Sequence, residues 1–188
     1  MFKPGPVTLQ RGALRLLPLV EADIPWLVDL AQHNHEVLVH MNGPLRPDWY
    51  RAALADQKAG EAVAFTVRMA DRIVGTTRFG SFIPALPAAE IGWTWLDLAQ
   101  HGQGLNTMIK YLMLTHAFER WHMVRVQLKT AASNGRTRRA IEKLGARQEG
   151  LLRNHRRLSD GRLDDTLMYS ITDSEWPEVK RGLEARFG

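Results

Sequence analysis

Ala89-Glu-Ile-Gly-Trp-Thr-Trp-Leu-Asp97, then Gln100-His-Gly-Gln-Gly-Leu-Asn106, then an apolar run to Trp121: the fold is decided by this succession. The first segment is rich in aromatic and β-branched residues and reads as a strand. Glycines at 102 and 104 make a loop. After it, Leu105, Met108, Ile109, Leu112, Ala117, Phe118 and Trp121 recur at the three-and-four spacing of a helix packed on a sheet. Such a unit aims unpaired backbone N–H groups and the positive end of a helix dipole at one point, which suits a phosphate. Taken alone, the loop is equally well plain turn chemistry.

Downstream, Val124, Val126 and Leu128 alternate with Arg125, Gln127 and Lys129, which predicts a strand with one polar face. A helix between two strands implies a right-handed parallel crossover. Parallel strands are usually apolar on both faces, so a polar face asks for a ligand lying against it. Upstream, Ala62 to Met69 and Ile73 to Phe82 form an antiparallel hairpin about Ala70-Asp-Arg72, and Ala89 to Leu96 is a third strand. Before them come a strand from Val7 to Leu19 broken by Pro18, a helix from Ala22 to Gln32, and another from Asp48 to Lys58 stopped by Gly60. The segment from His33 to Arg46 is irregular. A helix from Asn134 to Leu144 ends at Gly145, and Ser159-Asp-Gly161 turns a hairpin between Gln148–Leu158 and Arg162–Ile171. The expected fold is α/β, a central mixed sheet flanked by helices. It forms one domain over 1–188, with a core at about 7–172 and a terminal helix at about 174–187.

Composition narrows the function. Of 188 residues, 45% are hydrophobic and 24% charged, which is globular. No apolar stretch reaches the roughly 18 to 20 residues that span a bilayer, and Met1-Phe-Lys-Pro-Gly-Pro6 lacks a signal-peptide core, so a cytoplasmic location is expected. With no cysteine, disulfides, thiolate metal sites and a cysteine nucleophile are excluded. The net charge of +5 fits either nucleic acid or a polyanionic small molecule.

With these residues in view, the chain resembles the GCN5-related N-acetyltransferase (GNAT) superfamily, and within it the RimJ/RimL-like branch that acetylates ribosomal-protein N-termini. Three motifs carry the resemblance: Glu90 to Asp97, His101 to Asn106, and Asn134-Gly-Arg-Thr-Arg-Arg-Ala-Ile-Glu-Lys-Leu-Gly145. It implies the single-domain acyltransferase fold, with acetyl-CoA as co-substrate and a primary amine as acceptor. By the resemblance, Leu96, His101, Gly102, Gln103, Gly104, Leu105 and Asn106 form the cofactor loop, His101 standing where the family has Arg or Gln. Asn134 matches the asparagine that bonds the pantetheine arm; Arg136, Arg138 and Arg139 at the start of that helix could meet cofactor phosphates, and Arg138 is the one taken as cofactor-binding. Thr137 matches a serine position of the RimL-like branch. Ile141 stands where a catalytic tyrosine is often found, so that acid is missing.

Glu90 fits the family's strand glutamate that acts as base; it fits a salt-bridged strand residue as well. Strict alternation puts Glu90, Gly92 and Thr94 on one face and Ile91, Trp93 and Trp95 on the other. An alkyl ammonium has a pKa of about 10, and only its free base attacks a thioester, so a proton acceptor is needed. Backbone N–H donors near Asp97 would stabilise the oxyanion where the strand opens.

Other readings fare worse. A dinucleotide fold lacks its third glycine, which is Thr107, and lacks an acid after Leu128-Lys-Thr130. There is no Gly-Lys-Ser/Thr for a P-loop. His33, His35 and His40 have no ligand frame, so no metal is expected. A nucleic-acid module would rest on Arg153 to Arg157 alone. A catalytically silent CoA-binding sensor or interaction module on the same fold stays open, as do homodimerisation and the choice of a peptide N-terminus or a small amine as acceptor. Asp164 and Asp165 either bind a cationic acceptor or pair with Arg153 or Arg157.

Overall fold

The computed structural model describes residues 4–41, 43–83 and 85–187. The segment expected as one strand from Val7 to Leu19 is a hairpin, because Gly12 at φ +56° turns the chain between β1 (Leu9–Arg11) and β2 (Leu14–Pro18). α1 (Ile24–His33) carries its proline in the first turn, where a missing N–H costs nothing. α2 (Pro47–Ala59) ends on Gly60 in the left-handed region. The hairpin β3 (Val63–Met69) and β4 (Arg72–Gly80) leads to β5 (Ala88–Leu96), α3 (Leu105–Glu119) and β6 (Arg125–Ala131). α4 (Gly135–Lys143), β7 (Arg147–Arg157), β8 (Leu163–Thr172) and α5 (Trp176–Glu184) complete the chain.

The sheet has eight strands in the order β1-β2-β3-β4-β5-β6-β8-β7. β5 and β6 are the parallel pair of the expected crossover. β8 inserts between β6 and β7, antiparallel to both, so β7 becomes the edge. Helices cover both faces. Val63, Phe65, Phe79 and Ile91 pack with α3 residues Ile109, Met113 and Leu114. Ala64, between Val63 and Phe65, belongs instead to a second cluster with Leu27 and Ala31 of α1 and Tyr50 and Ala53 of α2. The buried stripe of α3 is Leu105, Ile109, Lys110, Met113, Leu114, Ala117 and Phe118. It is rotated from the expected one, which placed Met108 and Leu112 at its centre; both pack only partly buried at its margin.

Two irregularities shape the middle of the sheet. Parallel pairing of β5 with β6 runs through Ala88↔Arg125, Ala89↔Val126 and Glu90↔Gln127 and then stops, so the strands part beyond Glu90. On the other side of β5, Thr76 pairs with Trp95 and Arg78 with Gly92, which leaves Thr77 facing both Trp93 and Thr94. That is a β-bulge, and Trp93 takes φ +51° in it, a left-handed conformation that tryptophan seldom adopts. The bulge overturns the expected alternation. Thr94 joins the α3 face, bonding Thr77 Oγ1 at 2.7 Å and Lys110 Nζ at 2.6 Å. Trp93 swings to the face of Arg78, whose guanidinium lies 3.8 Å over its ring. Among the described residues, no helix is long and apolar enough to cross a membrane.

Candidate functional site

The glycine loop is built from its ends inward. Asp97 Oδ1 accepts from the Ala99 N–H at 3.1 Å, and the Leu98 N–H donates to Asn34 Oδ1 at 2.7 Å, tying the loop to the end of α1. Gly102 and Gly104 have φ +78° and +76°, and a Cβ on either would meet nothing within 4 Å. The glycines therefore serve backbone conformation, and the space above them is open. The first helical bond of α3 is Met108 N–H to the Gly104 carbonyl. The N–H groups of Leu105, Asn106 and Thr107 thus have no acceptor within the helix. The Leu96 and Leu105 side chains are core, so these two residues can offer a ligand only backbone. Gln103 Nε2 donates to the Ala99 carbonyl at 2.7 Å and closes the loop. Asn106 is half-buried.

His101 links this loop to α4. Its Nε2 donates to the Leu96 carbonyl at 3.2 Å, so Nδ1 is bare and accepts from Arg136 Nη1 at 2.9 Å. Burial first, then the Arg136 charge, pushes the imidazole below its usual value, in keeping with that neutral tautomer. Arg136 is the guanidinium at the glycine loop, and nothing in the order of residues singles it out from its neighbours. Arg138, expected there, is turned away along its own helix, 4.0 Å from Glu142, because a step of two residues along a helix swings the direction by a little more than half a turn. Asn134 caps α4, its Oδ1 accepting from the Thr137 N–H at 3.0 Å, so only its amide N–H groups remain for a ligand. Thr137 is half-buried beside it. Ile141 is 4% exposed in the core and supplies no acid.

Glu90 stands at the last β5–β6 pair before the strands part, 1% exposed. Its Oε2 accepts from Lys129 Nζ at 3.0 Å, Ser81 Oγ at 3.1 Å and Gln127 Nε2 at 3.3 Å. The polar face of β6 is therefore the Glu90 face. Oε1 makes no hydrogen bond among the described residues, and a Cβ on Gly92 would sit 3.0 Å from it, so Gly92 keeps that oxygen clear. Ser81, a hydrogen-bond partner of Glu90, also lines a cleft of about 840 Å³ together with Arg78, Phe82, Trp93 and Asp56; Glu90 itself does not line it.

Distant segments meet at the β7–β8 turn. Ser159 Oγ, in the β7–β8 turn, donates to the Val39 carbonyl in the loop between α1 and α2 at 2.8 Å. His40 follows on that loop with Nδ1 buried and unbonded among the described residues. Burial lowers its pKa; Asp164 opposes this, while Arg156, Arg136 and Arg162 add to it. Asp164 takes the Ser133 hydroxyl at 2.6 Å and Asp165 takes the Asn154 N–H at 2.8 Å, where pairing with Arg153 or Arg157 is one of the two sequence-based alternatives. Arg156 is the residue in register with Asp164. Among the described residues, no group of three or more His, Asp or Glu is arranged to hold a metal.

Comparison with known proteins bears on the fold and the family. A crystal structure of an acetyltransferase candidate from T. thermophilus is 34% identical, with TM-score 0.83 over 100% of both chains. Mycobacterium smegmatis RimJ, solved with a CoA-disulfide, shares the fold at 23% identity and TM-score 0.82, over 96% of this chain and 93% of that one. The ribosomal-protein-serine acetyltransferase of Escherichia coli K12 is 28% identical over 116 residues, 62% of this chain and 64% of that protein. The chain thus spans just under two thirds of that relative. Residues 13–147, which hold the parted strands, Glu90, the glycine loop and all of α4, match the acetyltransferase (GNAT) domain family, and the chain belongs to it.

Proposed function

We propose that this protein transfers the acetyl group of acetyl-CoA to a primary amine within a ternary complex. The observation that carries the reading is the parting of β5 and β6 just beyond Glu90, with the glycine loop and α3 start following β5 and the α4 start following β6. The loop fits the pyrophosphate: three N–H groups without helical acceptors, two open glycines and Arg136 converge there. When bound, acetyl-CoA supplies an acyl group activated as a thioester.

The chain's own residues do the rest. Asn134 offers its amide N–H groups to the pantetheine arm, since Oδ1 is spent on the helix cap. The unpaired edge of β5 offers backbone N–H donors to the acyl oxygen. Thr137 orients the sulfur; a thiol with a pKa of about 8.5 leaves with little help, which makes Ile141 tolerable. Glu90 Oε1 accepts the acceptor's proton, directly or through water. Lys129, Arg78 and Arg156 aid it electrostatically, because nearby positive charge disfavours the ammonium form.

The name of the Escherichia coli relative supports a protein α-amine as acceptor and a cytoplasmic place of action; a small-molecule amine fits the same chemistry. A silent CoA-binding module is the second reading, favoured by Ile141 in the core and by Lys129 on Glu90. Glu90→Gln separates the two. We expect turnover to fall by about 10²- to 10⁴-fold, with acetyl-CoA affinity by calorimetry held within about tenfold. Unchanged turnover with an unchanged pH–rate profile refutes the role of Glu90. Acetyl-CoA binding with no turnover of any amine by the unmodified protein identifies the silent module.

A further inference from the structure

We infer that Lys110 is a positioning residue for acetyl transfer: from the core side of β5 it pins Thr94, and the bulge so held sets the Gly92–Trp93 peptide and the Trp93 ring. The inference rests on the acetyl-transfer reading and adds a residue to the machinery of that reaction. The observation is a buried amine spent on one irregularity of the sheet. Lys110 Nζ donates to Thr94 Oγ1 at 2.6 Å and lies 3.5 Å from Thr77 Oγ1, with no carboxylate beside it among the described residues. Both hydroxyls belong to the bulge, for Thr77 is the β4 residue that faces Trp93 and Thr94 together. A lysine so placed costs stability, and an apolar side chain of similar reach would fill the space without that cost.

The lysine acts through hydrogen bonds that reach the backbone. With Lys110 donating to Thr94 Oγ1, the Thr94 hydroxyl donates in turn to the Gly92 carbonyl at 3.2 Å, and Thr77 Oγ1 is a third partner at 2.7 Å. In a trans peptide the carbonyl and the following N–H point opposite ways. Holding the Gly92 carbonyl therefore also fixes the direction of the Trp93 N–H. This peptide lies beyond Glu90, the last β5 residue that pairs with β6, in the stretch whose unpaired edge serves the acyl oxygen in the proposed reaction.

Trp93 itself needs such holding. At φ +51° a tryptophan keeps a left-handed conformation only where its surroundings over-determine it. Its ring then lies on the Glu90 face, with the Arg78 guanidinium 3.8 Å and Lys129 Nζ 5.6 Å from the ring centre. Lys129 is the cation that pairs with Glu90 at 3.0 Å. One chain of contacts thus runs from α3 through Thr94 and Trp93 to Glu90.

Lys110→Met, Thr94→Val, Thr94→Ser and the double variant Lys110→Met/Thr94→Val test this. The acceptors are butylamine and amidated peptides beginning Ser-Asp-Asp, Ser-Asn-Asn and Ser-Lys-Lys, and thiol release is followed at saturating acetyl-CoA. We expect Lys110→Met to melt no lower than the parent and to bind acetyl-CoA within about threefold of it. On the best acceptor it nevertheless loses about 10- to 100-fold in kcat with KM little changed. A lysine with a structural role alone would leave kcat intact in a variant of equal or greater stability. Because the two side chains act as a unit, the double variant loses no more than Lys110→Met alone, within about twofold. Thr94→Ser, which keeps the hydroxyl, retains more of kcat than Thr94→Val, a comparison that stands even where Lys110→Met does not fold. Parental kcat in Lys110→Met, losses that multiply in the double variant, or equal kcat in Thr94→Ser and Thr94→Val overturn the inference while acetyl transfer stands. Acetyl-CoA binding by the parent without turnover of any of the four acceptors overturns it together with the acceptor reading, and failure to bind acetyl-CoA overturns the proposed function itself.

Discussion

Lys110→Met removes a charge that the fold holds almost wholly out of water. Lys110 is 5% exposed in α3, its Nζ 2.6 Å from Thr94 Oγ1 and 3.5 Å from Thr77 Oγ1, with no carboxylate beside it among the described residues. Burial brings its pKa from 10.5 to about 7. Between those values the unfolded chain holds a proton that the folded protein has released, so stability rises with pH. The penalty is complete below the folded value and vanishes above the unfolded one. Its size is about 4 kcal/mol at pH 7 and about 2 kcal/mol at pH 9. Methionine has similar reach and no charge, and its hydrogen-bond losses amount to about 1 kcal/mol each. Thr94 Oγ1 keeps the Gly92 carbonyl at 3.2 Å and Thr77 as partners. Urea unfolding at pH 7 and pH 9, at one ionic strength, is therefore expected to show the variant more stable at pH 7, with an advantage about 2 kcal/mol smaller at pH 9. Equal differences at both pH values would refute the desolvation of Lys110.

Three other outcomes follow from the site. Asn134→Ala should lose about 1 kcal/mol of stability along with acetyl-CoA affinity, because it removes the cap and the amide donors together. Asn134→Asp retains the capping oxygen and should lower affinity alone; thermal melting and calorimetry read the two effects separately. Gly104→Ala forces a Cβ into the left-handed region at φ +76°, so a loss of about 1–2 kcal/mol is expected even though nothing stands in its way. A melting temperature equal to that of the parent would show that the loop relaxes at no cost.

Much of this fold was legible because neighbours in the chain encode it. The three-and-four repeat of α3, the glycine stops after α2 and α4, and the alternation of β6 each depend on a few consecutive residues. The polar face of Arg125, Gln127 and Lys129 announced an occupant, and Glu90 meets it from the next strand. The buried position of Lys110 was also within reach, since Met113, Leu114 and Ala117 follow it at three, four and seven residues.

What could not be read from order alone arises between segments far apart. The bulge that reverses Trp93 and Thr94 exists because β5 must match β4 while a lysine from α3 holds Thr94. Arg136 and Arg138 are indistinguishable by composition, and a turn of helix aims only the first at His101. The insertion of β8 between β6 and β7, and the Ser159 contact that ties the β7–β8 turn to the loop between α1 and α2, join residues many tens of positions apart. Local periodicity and φ preferences are properties of short stretches and survive in any context, whereas pairing, burial and charge balance are properties of the closed structure, set by which distant surfaces exclude water together.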